Sequence, residues 1–319
     1  MPQGLLIDLN DGGPVMQITA GLRCPSYSLS IGDAWDVNQY TLPNYVAGSQ
    51  IVMMPKSCVY SLNRGTNLIT TIAVLDSITV SGNMVTQNVW WSDNWGRAKS
   101  FPATVWQILP ASSGRGLLIQ NSTDFTAITD NTMVGQCVWR GTVSVNGSWS
   151  PPDIPGLTRD QYLVFAKWSA PGVVIDYDGA TIRALADRDG SDVAASATMQ
   201  IAIFASGVAP VPGPGLNMFN AAGNCVFSTT KRPFIYRQTT WVPTWDGADI
   251  GDTMIMLGRF GYDSSLAGGW DWLKYAGLVR TGNVVRCGKG KVSSSWTDKY
   301  PVTGRRVTSI AVPCIDAMY

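Results

Sequence analysis

Chemistry in this chain has to come from aspartate and tryptophan, because the usual catalytic residues are missing. Among 319 residues there is no histidine. A Ser-His-Asp or Cys-His arrangement therefore lacks its base, and a HExxH metal site lacks its ligands. All 22 acidic residues are aspartate, with no glutamate. No GxGxxG opens a helix and no P-loop is present. Paired carboxylates are what glycoside hydrolysis needs, and the candidate pairs are Asp176 with Asp178, and Asp246 with Asp249 and Asp252. Each group reads more simply as turn and cap residues, whose side chains bond local backbone N–H groups. The run Asp187-Arg188-Asp189-Gly190-Ser191-Asp192 has part of the spacing of a calcium loop. It lacks the flanking helices and the bidentate glutamate, and Arg188 sits inside it, so an exposed polar turn is expected.

The 13 tryptophans are the positive signal. Trp90, Trp91 and Trp95 lie in NVWWSDNWGR with Asp93, Asn94 and Arg97. Trp241, Trp245, Trp270 and Trp272 lie in TTWVPTWDGAD and GGWDW. Rings set beside amides, carboxylates and a fixed positive charge make platforms for sugar faces or a protein partner. An extended backbone sends the adjacent rings of Trp90 and Trp91 to opposite faces. At least one of them is therefore expected outside its own domain's core, which makes 88–97 a recognition segment. For any single tryptophan, filling a sandwich core or a subunit interface is the simpler role.

The elements that must position these residues are strands. Glutamate, a good helix former, is absent, aspartate prefers turns, and 33 glycines and 18 prolines punctuate the chain. With plentiful Thr, Val, Ile and Trp, that composition predicts an all-β fold. Strands are expected at 25–31, 51–54, 59–62, 68–75, 78–80 with 84–85, 104–109 paired with 116–120, 138–145, 172–177 with 181–185, and 197–205. Asn63-Arg64-Gly65, Ser81-Gly82-Asn83, Asn146-Gly147 and Asp178-Gly179 supply turns. The stretch 40–47 reads as irregular. YLVFAKW, 162–168, reads as a strand, and Thr158-Arg159-Asp160 before it leaves open one capped helical turn. The segment 208–214, VAPVPGP, suits a stiff connector. The chain then divides into an N-terminal β-rich module, 1–207, and a C-terminal module, 215–319, of β-sandwich size. In the second, strands are expected at 234–242, 253–258, 273–279, 284–287 and 306–312. Six cysteines with no CxxC and no histidine argue against structural zinc and read as buried free thiols. A net charge of +1 gives no field favouring nucleic acid. No run of eighteen apolar residues predicts a membrane span, no secretory signal opens the sequence, and no cofactor is implied.

Both modules open with the same device. GLLIDLNDGGPVM, 4–16, lies over GLNMFNAAGNCVF, 215–227, with Gly4 on Gly215, Leu5 on Leu216, Ile7 on Met218, Gly12 on Gly223 and Val15 on Val226. Glycine falls where a turn needs positive φ, and apolar residues where a strand needs a buried side. The clearer copy, with Asn220 and Phe227, resembles hairpins that open small distal-tail proteins of long-tailed bacteriophages. That resemblance covers a small part of the chain and carries no catalytic residues. It implies a virion structural protein of a tail tip or fibre, made without a signal peptide and assembled in the host cytoplasm. Such a protein would bind tail subunits and a bacterial surface glycan or pilus. Apolar strands and surplus tryptophan predict a closed homo-oligomer, a trimer, because association protects sheet edges. Two other readings stand beside it: a lectin-like carbohydrate-binding protein outside any virion, and an Asp-dependent glycan-degrading enzyme.

Overall fold

The computed structural model describes residues 4–19, 22–62, 70–93, 96–110, 116–117, 128–129, 133–237, 239–297 and 304–317. The architecture is all β, built from several antiparallel sheets. The one helical element among the described residues is a single 3-10 turn, Arg159–Gln161. Thr158 caps it as its sequence allows: its backbone N–H and its hydroxyl both donate to Gln161 Oε1, at 2.9 and 3.1 Å. No helix among those residues is long and apolar enough to cross a membrane.

A 14-stranded sheet dominates, and it runs across the 208–214 connector. Phe165 and Ala166 in Tyr162–Trp168 pair with Met256 and Ile255 in Thr253–Met256. Val174 and Ile175 in Val173–Tyr177 pair with Val279 and Leu278 in Trp270–Thr281. One apolar core holds residues from Ile31 to Ile315. The lengths of chain on either side of the connector thus share a sheet and a core.

A second, four-stranded sheet orders Gln39–Thr41, Met84–Trp91, Thr71–Ser81 and Val59–Leu62. Around 72–75 and 90–91 it is covered on both faces. Ala73, Leu75, Val85 and Trp91 face the main core. Val59, Ile72, Val74 and Trp90 face Tyr262, Leu273 and Trp296, which come from Gly261–Ala267, Trp270–Thr281 and Val284–Thr297. Residues 71–75 are buried without alternation for that reason.

The two opening hairpins form and meet. Gly4–Ile7 pairs with Met16–Thr19, and Asn217–Phe219 with Cys225–Ser228. The aligned turn glycines have positive φ, +74° at Gly12 and +80° at Gly223. Met16, Ile18 and Phe227, with Ile7 and Met218 against them, share one small apolar cluster.

Several expected pairings differ. Ala103–Ile108 does not pair with Gly116–Leu117; it lies between Ser26–Ile31 and Gln50–Pro55. All six of its residues are buried, which calls for strands on both sides. Gly116–Leu117 pairs instead with Ile128–Thr129. The Asn146-Gly147 turn forms, but the return strand Ser148–Trp149 meets Cys137–Asn146 only at Asn146. Pro151 and Pro152 follow and cannot donate to a ladder, and the long partner of Cys137–Asn146 is Ser196–Ala205. The 234–242 strand shrinks to Thr240–Trp241, and 306–312 divides into Gly304–Val307 and Val312–Asp316. At that break Thr308 and Ser309 donate their N–H groups to the carbonyls of Phe260 and Asp76. The expected turn at Asn63-Arg64-Gly65 and residues 118–120 lie outside the described residues. All six cysteines are buried and unpaired.

Candidate functional site

The tryptophan segments separate once their strands are placed. Trp90 and Trp91 do point to opposite faces of Met84–Trp91, but both faces are covered, so neither ring projects freely. Trp91 is 5% exposed, stacks on Trp35 with centroids 5.9 Å apart, and donates its indole N–H to the Arg97 carbonyl at 3.1 Å. Trp90 is half-buried, nearly parallel to Tyr262 at 6.2 Å, with the Arg306 guanidinium 4.7 Å from its ring centre. The expectation of an outward ring is corrected here: a strand between two packed layers has no free side. Asp93 accepts a bond from the Thr71 hydroxyl at 2.7 Å. Arg97 grips Asp36 through Nε and Nη2, at 2.7 and 2.6 Å, and lies over Trp35. Asn94 and Trp95 lie outside the described residues.

Trp241 is 2% exposed and meets Phe260 edge-on at 5.6 Å. Trp245 is half-buried beneath Arg305, 5.4 Å away. Trp270, 39% exposed, is the most open of the described tryptophans. Trp272 lies two residues on, half-buried, its indole N–H fixed on the Ala267 carbonyl at 2.9 Å.

Strand geometry makes Trp270 and Trp272 a pair. Alternation puts them on one face of Trp270–Thr281, about 7 Å apart along the strand. Their cross-strand neighbours are small: Ala267 and Thr297 beside Trp270, Ser265 and Ser295 beside Trp272. The opposite face carries Asp271, Leu273, Ser264, Ser294 and Trp296, all buried. Asp271 there accepts from the Ser264 hydroxyl at 2.8 Å. The outer face is therefore a shelf of two indoles among hydroxyls and methyls.

The 187–192 run builds the wall of this shelf. Asp189 accepts from the Ser265 hydroxyl at 2.6 Å and pairs with Lys289. These partners, Lys289 first, hold its carboxyl below the ordinary value. The Arg188 carbonyl takes a bond from the fully buried Lys274 ammonium at 3.1 Å, and Asp192 lies 3.5 Å from it. Burial pushes the Lys274 ammonium down and the neighbouring Asp263 carboxyl up. The ladder from Trp270–Thr281 to Val284–Thr297 shifts register between Leu273 and Ala276. Such shifts free backbone donors, and aspartates take them. Asp187 accepts from the N–H of Lys289 at 2.8 Å, Asp192 from Val292 at 3.0 Å, and Asp176 from Lys291 at 3.4 Å. The run is a polar turn engaged with lysines and strand backbone.

Asp176, Asp178, Asp249 and Asp252 are engaged in the same way, while Asp246 is exposed and its backbone N–H donates to the Thr244 hydroxyl at 3.2 Å. Asp176, fully buried, is gripped by Arg259 through Nη2 at 2.8 Å and Nε at 3.1 Å. Burial works to raise the Asp178 carboxyl, but the Thr181 N–H, Arg183 and the Ala180 N–H bring it below its ordinary value. Asp249 caps Gly251 at 2.7 Å, and Asp252 pairs with Lys167. Among the described residues no three carboxylates or thiols are placed to hold a metal ion. The arrangement at Trp270 and Trp272 is suited to holding a ligand by stacking. WDW announces the pair in the sequence; the hydroxyl neighbours Ser265, Ser295 and Thr297 carry no local signal, because the ladder alone brings them together. No curated protein and no solved structure matches the chain. A family profile matches residues 4–298, and the chain belongs to that family, DUF6453, a family of unknown function.

Proposed function

We propose that this protein is a non-enzymatic binding component of a bacteriophage tail tip or fibre, joining tail subunits and contacting a bacterial surface receptor. The observation that carries the binding reading is the shelf at Trp270 and Trp272, where Trp270 is more open than any other described tryptophan. The tail reading rests on the resemblance of the opening hairpins, whose aligned turn glycines share a positive φ. In this reading 1–207 and 215–319 are two sandwich-like modules fused through a shared sheet, with 208–214 as their connector. The protein acts as a homotrimer, is assembled in the host cytoplasm and ends in the virion. Neither nucleic acid nor membrane insertion enters its role.

The test is labelling of particles with a gold-conjugated antibody raised against the chain, together with the solution mass of the pure protein. Gold at the distal end of tails and a trimer mass are expected. Particles that carry no label overturn the tail assignment, and a monomer mass at micromolar concentration overturns the trimer.

A further inference from the structure

We infer that the shelf around Trp270 and Trp272 is a saccharide-binding site, taking an extended oligosaccharide across the two indole faces. The inference deepens the binding reading above and does not depend on the virion assignment.

Three observations converge on it. The first is ring exposure and order. Trp270 is 39% exposed, and Trp272 is held in place by its N–H bond to the Ala267 carbonyl. A sugar ring offers an apolar C–H face that an indole covers, and a fixed indole loses little entropy in covering it.

The second is the surroundings. Ser265, Ser295 and Thr297 are half-buried on the same face. Hydroxyl donors and acceptors beside a flat apolar surface match a pyranose, which is apolar on its faces and polar round its rim. An apolar protein partner would take water from the Ser295 and Thr297 hydroxyls and offer nothing in its place, at a cost.

The third is the closed end of the shelf. The Asp189–Lys289 pair stands at its edge, with Asp189 already bonded to Ser265. Lys289 also lies 3.5 Å from Asp263. Lys289 there stands between two carboxylates, so the wall carries no surplus of positive charge, which favours a neutral saccharide over a polyanion.

The experiment uses the full chain on an array of bacterial surface glycans, with titration of each hit by tryptophan fluorescence. Saturable binding and a fluorescence change are expected. Trp270→Ala lies at an exposed position and should keep the fold while weakening affinity about tenfold or more. Ser295→Arg, which puts a bulky side chain on the shelf beside Trp272, should weaken it similarly. No saturable binding on the array overturns the inference, as does binding that survives both substitutions. Glycan binding by a protein missing from tails leaves this inference standing and removes the tail assignment. A protein found on tails that binds no glycan does the reverse.

Discussion

Asp11 and Arg232 tie the first turn of the chain to its C-terminal third. Arg232 donates from Nε and Nη2 to the Asp11 carboxylate, at 3.1 and 2.9 Å, and from Nη2 to the Pro14 carbonyl at 2.7 Å. Arg140 joins the same carboxylate at 3.1 Å. Gly13 fits beneath because it has no Cβ; one there would stand 2.5 Å from Arg232 Nη2. Asp11→Ala strands a guanidinium that is 7% exposed and should cost about 2 kcal/mol, measured by denaturant unfolding. The hydrogen bond from Arg232, before any other cause, holds the Asp11 carboxyl below its ordinary value. Its contribution to stability is thus full above the ordinary carboxylate range and is lost as pH falls through the lowered folded value. Protection factors of the 4–19 hairpin amides, taken relative to the intrinsic exchange rate at each pH, should fall on acidification in the native chain and should lose that acid dependence in Asp11→Ala.

Gly13→Ala tests the same junction through shape alone. The added methyl pushes into two engaged guanidiniums, so their ends have to shift against Asp11. A loss of about 1–3 kcal/mol is expected in thermal or denaturant unfolding. Unchanged stability would mean that the arginines move aside at no cost and that the junction is loose.

Local features were legible wherever a residue type and a backbone need coincide. The turn at Gly82, with φ +56°, and the strands Val59–Leu62 and Val173–Tyr177 follow directly from glycine placement and β-branched runs. The pairing of distant strands was not legible. Nothing local in Thr253–Met256 says that it joins Tyr162–Trp168 rather than a module of its own. The proline-rich 208–214 segment reads as a boundary because prolines end strands, yet a chain can leave a sheet there and return to it. The site was half legible: WDW marks the shelf, while Trp90 and Trp91 mislead because the layer covering Trp90 comes from residues 261–297.

Cleavage within 208–214 should leave the two pieces together. Strand pairs cross the connector at Phe165–Met256 and Ile175–Leu278, and the pieces share one apolar core. Limited proteolysis followed by gel filtration should give a nicked protein at the intact elution volume, separating only in denaturant. Release of a folded C-terminal fragment under native conditions would show that these pairings are weak.

The six thiols should be silent toward a thiolate-selective reagent in the native protein. Burial raises the thiol of Cys137 to about 11 and those of Cys287 and Cys314 to about 12, so little thiolate exists near neutral pH. The sign of the pH dependence is that reactivity rises only in strongly alkaline solution, where these groups begin to ionise. Labelling of native protein at pH 8 should be negligible and should reach all six sites in denaturant.

Replacing Trp91, Trp90 and Trp270 one at a time separates core from surface. Trp91 fills the main core, 5% exposed, against Trp35, so Trp91→Ala removes a buried ring and should cost about 3–5 kcal/mol. Trp90 is half-buried between Tyr262 and Arg306. Its loss removes a stacked pair and a cation–π contact at the seam between two sheets, for about 1–2 kcal/mol. Trp270 is the most open of the three and packs beside small neighbours, so Trp270→Ala should change stability by less than about 1 kcal/mol. Ligand binding should follow the opposite order, with the folded fractions of Trp91→Ala and Trp90→Ala retaining affinity and Trp270→Ala losing it. Denaturant unfolding and binding titrations on the same three preparations decide the matter. If Trp90→Ala proves neutral in stability but abolishes binding, then the recognition surface lies at 88–97 and the shelf at Trp270 and Trp272 is structural.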